Sequence, residues 1–161
     1  MIKEFEKYHG AVFARLFHES SQKVAIELYP SKSNSSYIIN NKLGIYIKHS
    51  TKRLSPWSFT FTKIHQDEIL KIKNKYGEVF TVLVCHNDGI VCLSFEELKL
   101  VLDHHHEETE WVRISRGPRQ KYTVAGKNGK LKFKIGENEF PEKIFTVPNP
   151  KPGIFSWFIN K

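Results

Sequence analysis

The stretch "SYIINNKLGIYIKHS", residues 36–50, decides the reading of this chain. Two β-rich runs, "SYIIN" and "LGIYIKHS", are joined by Asn40-Asn41-Lys42, residues that tolerate tight turns, so the pattern predicts a hairpin. In the second run the apolar Ile45-Tyr46-Ile47 ends on Lys48. A lysine in that setting is either a strand end reaching water or a functional ammonium held by a rigid element.

Working outward, the flanking segments carry clear periodicities. Upstream, Phe5, Tyr8, Val12, Phe13, Leu16 and Phe17 recur at three- and four-residue spacing, which predicts an amphipathic helix. "KVAIELYP" alternates and predicts a strand, ended by Pro30 and the polar loop "SKSNSS". Downstream, "WSFTFT" is extended. Ile64, Ile69, Ile72 and Tyr76 then predict a second helix, with Thr62 as N-cap and Gly77 as C-cap. "VFTVLVC" has the continuous apolar character of a strand buried on both faces, and "GIVCLS" returns after an Asn-Asp-Gly turn. Ser94 and Glu97 have the capping-box spacing of a third helix, extended through the acidic run 96–110. "WVRISR", "KYTVAG" and "KLKFKIG" predict a β-meander, and "VPNPKPG" an irregular tail. The whole predicts an α/β (α+β) fold in one domain, residues 1–161. A mixed central sheet flanked by helices occupies 1–110, with a basic β extension and tail over 111–161.

Composition narrows the classes. No window approaches the roughly 18 continuous apolar residues of a membrane helix, and "MIKEFEKYHG" lacks the apolar core of a secretory signal, which predicts a cytoplasmic protein without a membrane partner. Cys85 and Cys92 flank "HNDG" and could face each other across a hairpin; in a reducing compartment they are read as buried thiols. The formal net charge of +8 is uneven: residues 42–75 carry +6 and residues 113–134 carry +8, whereas 96–110 carry −5. This predicts one side facing a polyanion, and an acidic helix able to dock a basic protein partner. "HHHEE", residues 104–108, places His104 near Glu107 and Glu108 on a helix but supplies no third ligand at a defined spacing.

The predicted order is a helix, three strands of which the third ends in lysine, a helix and another strand. This order, with Ile45-Tyr46-Ile47-Lys48 and with Gln66 opening the following helix, resembles the core of the PD-(D/E)XK nucleases over about residues 4–100. The resemblance implies nucleic acid as partner and, if the protein is catalytic, Mg²⁺ as cofactor. In that superfamily an acid at the start of strand two and the acid of the (D/E)-x-K signature bind the metal, and the lysine assists water attack. Carried over, the first acid falls near Asn40 or Asn41, the second on Tyr46, and the lysine on Lys48. Neither carboxylate is present. The resemblance therefore implies relocated acids: Glu27, or Asp67 and Glu68, with Glu4 or Glu6 in addition. A Mg²⁺-dependent phosphodiesterase would then use Lys48, Glu27, Asp67, Glu68 and Gln66, with Glu27 and Asp67 as metal ligands. Without a metal site, the same fold implies a non-catalytic nucleic-acid-binding or regulatory subunit.

Binding candidates follow from charge and aromatic spacing. Trp57, Phe59 and Phe61 alternate on one face of a strand; beside Lys52 and Arg53 they suit a base-stacking platform, or else Phe59 and Phe61 are core and only Trp57 is near the surface. "RISRGPRQK" offers Arg113, Arg116, Arg119 and Lys121 for phosphate, with no acid close in sequence.

Overall fold

The computed structural model describes residues 1–105 and 107–146, so His106 and the "VPNPKPG" tail lie outside the described residues. Helix α1 spans Glu4–Glu19 and buries Tyr8, Val12 and Leu16 of the stripe that its spacing predicts, together with His9, while Phe5 and Phe13 are half-buried and Phe17 points to solvent. Strands β1 (Ile26–Leu28), β2 (Ser36–Ile39) and β3 (Leu43–Ser50) form an antiparallel meander. The β2–β3 turn places Asn40 and Asn41 at φ 53° and 56°, the left-handed pair of a type I′ turn. Asn40 also braces β1, accepting from the Ala25 amide at 2.7 Å and donating to the Lys23 carbonyl at 3.0 Å.

Strand β4 (Trp57–Phe61) leaves this sheet, and helix α2 (Lys63–Tyr76) crosses back to β5 (Val79–Cys85), which pairs parallel to β3. Thr62 caps α2 through the His65 amide, and Gly77 ends it at φ 86°, both as the sequence predicts. Strand β6 (Gly89–Ser94) returns antiparallel and completes a five-stranded sheet in the order β1-β2-β3-β5-β6, with β3 at its centre. Helix α3, capped by Ser94 and Glu97, covers only Phe95–Val101. Strands β7 (Glu110–Ser115), β8 (Thr123–Gly126) and β9 (Gly129–Lys130) join β4 in a second, antiparallel sheet, β4-β7-β8-β9. The architecture is α+β.

Strand alternation divides the core. One face of the first sheet presents Ile39, Ile45, Ile47, Phe80, Val82 and Val84 to α1, Phe140 and Ile144. The other presents Ile38, Tyr46, Leu83 and Cys85 to α2, α3 and the inner face of the second sheet. Fully burying an aliphatic or aromatic side chain of this size contributes roughly 1.5–3 kcal/mol, so the shared cluster fastens the two sheets together. Gly126 permits the close approach of α3: a Cβ there would lie 2.5 Å from the Val101 carbonyl oxygen, in the backbone rather than in a movable side chain.

Four expectations need correction. Trp57 is 2% exposed, because β4 turns its aromatic face toward the core shared by both sheets, so no base can stack on it. The acidic run 96–110 is not one helix; α3 stops at Val101 and Glu110 opens β7, buried at 2% exposure. The helical facing of His104 with Glu107 and Glu108 goes with it. Cys85 and Cys92 are both buried free thiols, but Cys85 pairs with Gly89 and Cys92 with Val82. Positions 82 and 85 lie on opposite faces of β5, so the two thiols enter opposite halves of the core.

Candidate functional site

The alternation of β3 that sends Ile45 and Ile47 toward α1 sends Tyr46 and Lys48 toward α2. The first turn of α2 meets the strand end there. His65 stands at the third helical position, and its Nδ1 accepts both the Thr62 amide at 3.1 Å and the Lys48 Nζ at 3.3 Å. Two N–H groups aimed at one ring nitrogen require Nδ1 to be unprotonated. In agreement, burial foremost and the Lys48 charge next hold the His65 pKa below its ordinary value, against the Thr60 backbone and Glu68. The Lys48 ammonium also lies 5.2 Å from the centre of the Phe61 ring. Burial lowers its pKa from 10.5 to about 8, and the charge of Glu68 only partly opposes this.

Glu68, one helical turn beyond, reaches the β1–β2 loop. Its carboxylate accepts from the Ser33 hydroxyl at 2.6 Å and the Lys32 amide at 3.2 Å. The Tyr46 hydroxyl donates to Ser33 at 3.3 Å, and burial raises the Tyr46 pKa so that the phenol stays neutral. Ser33, Tyr46, Lys48, His65 and Glu68 thus surround one strand end. A cation that readily gives up its proton, beside a neutral imidazole, suits the binding of an anionic oxygen or the movement of a proton near pH 8.

The other residues singled out in the sequence lie elsewhere. Glu27 is exposed on the edge strand β1, opposite Ile38. Asp67 points to solvent and pairs with Lys63 at 2.9 Å. Gln66 is 1% exposed and turns toward the second sheet, donating to Glu110 at 3.4 Å and accepting from Lys99 at 3.2 Å. Glu4 meets His49 at 3.5 Å, while Glu6 caps the first turn of α1. Among the described residues no group of three or more His, Cys, Asp and Glu side chains could hold a metal ion. Glu68 stands as the one carboxylate in the hydrogen-bonded cluster around Lys48, and both its oxygens are engaged. Mg²⁺ prefers several anionic oxygens and sheds its own waters reluctantly, so a donor set of one carboxylate beside an ammonium does not fit it.

On the opposite side of the same strand end lies a cluster that sequence reasoning missed. The Tyr8 and His49 rings stack at 4.5 Å, the Tyr8 hydroxyl is 2.8 Å from His86 Nδ1, and His9 Nδ1 is 2.7 Å from the Tyr37 hydroxyl. A cleft of about 240 Å³ is lined by His9, Ser33, Lys48 and His49, so consecutive residues of opposite faces meet at its mouth. Three histidines from α1, β3 and the β5–β6 turn have no common spacing. The one available signal was that His49 follows Lys48.

The basic candidates divide. Lys52, Arg53, Arg119 and Lys121 are exposed. Arg116 is not free: its guanidinium bonds Asp88 at 2.8 Å and Glu137 at 3.0 Å and lies 4.4 Å from the centre of the Tyr122 ring. The expectation of an un-neutralised cluster fails at this residue, because the acids arrive from distant parts of the chain. Arg116→Ala is expected to lower stability by about 1–2 kcal/mol in urea melts, between the values of surface and buried pairs. A loss indistinguishable from zero would return Arg116 to the pool of free cations. Arg113 points outward from β7, with its guanidinium 4.9 Å from the centre of the Trp111 ring. Among the described residues no helix is long and apolar enough to cross a membrane. Compared with protein-family models, curated proteins and solved structures, the chain matches none.

Proposed function

We propose that the protein binds nucleic acid on a PD-(D/E)XK-like core and does so without metal-dependent cleavage. The observation that carries this reading is Lys48: a desolvated ammonium at the end of the central strand, with Glu68 as the one carboxylate in its hydrogen-bonded cluster. An ammonium so placed suits a phosphate oxygen, while the donor set around it lacks what Mg²⁺ needs. The chain order supports the choice of fold. Helix α1, the meander β1–β2–β3, helix α2 and a strand parallel to β3 are the elements that the resemblance implies, with β4 as an added strand. The charge of +8, with Lys52, Arg53, Arg119 and Lys121 exposed, supports a polyanionic ligand.

A second reading, Mg²⁺-dependent phosphodiester hydrolysis, is favoured by one observation: Glu68 occupies α2 within electrostatic reach of Lys48, where a relocated acid would stand. One experiment separates the two. Labelled single-stranded and duplex DNA and RNA are incubated with the purified chain, with and without Mg²⁺ or Mn²⁺, and both retention and product length are read. The expected result is retention that weakens steeply with salt, log K falling by about 0.9 per phosphate contact on a duplex, and no shortened product. Metal-dependent products lost in Lys48→Ala and Glu68→Gln would install the second reading, and absence of retention at low salt would remove nucleic acid as ligand.

A further inference from the structure

The geometry points to the outer face of the second sheet as a docking surface for a single-stranded segment of nucleic acid, with a base stacked on Trp111. The inner face of β4, β7 and β8 is closed by Trp57, Phe59, Phe61, Val112, Ile114 and Val124. The alternate positions therefore point away from the core, with Ser115, Thr123 and Ala125 half-buried. Ser58 and Thr60 are exposed on β4, Trp111 and Arg113 on β7, and Lys130 on β9.

The strand register turns this set into a pattern. Thr60 stands opposite Trp111, Ser58 opposite Arg113, Arg113 opposite Ala125, and Ala125 opposite Lys130. A row from Ser58 through Arg113 and Ala125 to Lys130 thus crosses the whole sheet and carries two cations. The indole stands beside it, two residues along β7. Across the strands it is flanked by Thr60 on β4 and, just past the end of β8, by Lys127, whose amide donates to the Trp111 carbonyl at 3.2 Å. Trp111 is 38% exposed, so part of its ring faces solvent.

Charge selects the occupant. None of the outward positions of these four strands is acidic. Two acids that precede β7 are paired, Glu107 with Lys63 at 3.9 Å and Glu108 at 3.2 Å with Lys127, the lysine that flanks Trp111. A face with cations, hydroxyls and a partly exposed indole, and no carboxylate among its outward strand positions, complements a polyanion that also offers planar rings. In a duplex the bases are stacked on one another and unavailable to a flat surface; in a single strand their faces are free. The Arg113 guanidinium lies over one side of the indole, 4.9 Å from its centre, so a base would stack on the remaining exposed part of the ring while the same cation meets the neighbouring phosphate. This inference rests on the nucleic-acid reading above, but it uses none of the residues around Lys48.

The test is a titration of the full chain at low salt with an oligothymidylate of about 12 nucleotides, and with a duplex of equal length. Wild type, Trp111→Leu, Trp111→Phe and Arg113→Gln are compared. Trp111→Leu is expected to weaken single-strand binding about tenfold and leave duplex binding unchanged, with Trp111→Phe close to wild type because a phenyl ring still stacks. Arg113→Gln is expected to reduce the salt slope for the single strand by about 0.7. Single-strand affinity unchanged in Trp111→Leu, while wild type still binds, overturns the sheet face and leaves the nucleic-acid reading standing. No binding by wild type overturns both. Because these side chains point to solvent, melting temperatures are expected to match wild type. If Trp111→Leu fails to fold, an unchanged affinity and slope in Arg113→Gln overturns the proposal.

Discussion

Lys48→Met is expected to stabilise the folded chain by about 2 kcal/mol at pH 7, raising the melting temperature by roughly 4–8 °C, while removing the cation at the end of β3. Burial brings the lysine pKa from 10.5 to about 8, and the neighbouring groups are a neutral imidazole and a phenyl ring rather than a paired carboxylate. Each pKa unit corresponds to about 1.4 kcal/mol, giving a ceiling near 3 kcal/mol that partial exposure reduces. Methionine has similar length and no charge to desolvate. The folded pKa lies below the unfolded one, so between pH 8 and 10.5 the unfolded chain holds the proton more tightly. Wild-type stability is therefore expected to rise across that window relative to the variant, and the gap between them to close. Melts of both proteins at pH 7 and pH 10 measure this. A Lys48→Met protein that melts below wild type at pH 7 would make the ammonium a structural cation and remove the main support for a functional strand end.

A charge that destabilises the fold where it stands is what a functional group tends to look like, because selection for packing alone would have replaced it. Lys48 was legible in the sequence for the same reason: it ends an apolar run that has no other use for a charge. The hairpin at Asn40-Asn41, the Thr62 and Gly77 caps, the fully buried β5 and the Ser94–Glu97 capping box were legible too. Each depends on residues within a few positions of one another. What failed depends on distance along the chain. Alternation showed that Trp57, Phe59 and Phe61 share a face, but not that β4 abandons the first sheet to pair with β7, which turned the supposed stacking platform into core. Arg116 seemed free of acids because Asp88 and Glu137 lie 28 and 21 residues away. At the candidate site, Glu68 and Lys48 were both named, while His65, which accepts from the lysine, was passed over as an ordinary helix residue. The alternation of Trp111 with Val112 and Ile114 in "WVRISR" is itself enough to place Trp111 outward.

Acidification is expected to destabilise the chain by about 3 kcal/mol between pH 6.5 and pH 4 through His9 alone. His9 is 4% exposed on the buried face of α1, where burial, aided by the nearby His49, lowers its pKa from 6.5 to about 4. Its Nδ1 is 2.7 Å from the Tyr37 hydroxyl, and the Phe5, Phe13 and Tyr37 rings pack edge-on around the imidazole. A proton added there charges a ring whose neighbours are mostly apolar. Because the folded pKa is the lower one, the unfolded chain binds more protons in this window, and stability falls as pH drops from 6.5 until about pH 4, then levels for this group. His9→Asn keeps an acceptor for the Tyr37 hydroxyl but cannot titrate. It is expected to be less stable than wild type at pH 7, through lost packing, and to show a shallower decline on acidification, so that the two curves converge near pH 4. Urea midpoints at half-unit pH steps measure both slopes. Parallel curves would mean that the acid sensitivity resides in other groups and that His9 is charged as readily in the folded chain as in the unfolded one. Convergence would place a neutral His9 beside the Lys48 cleft in the folded chain between pH 6.5 and about pH 4.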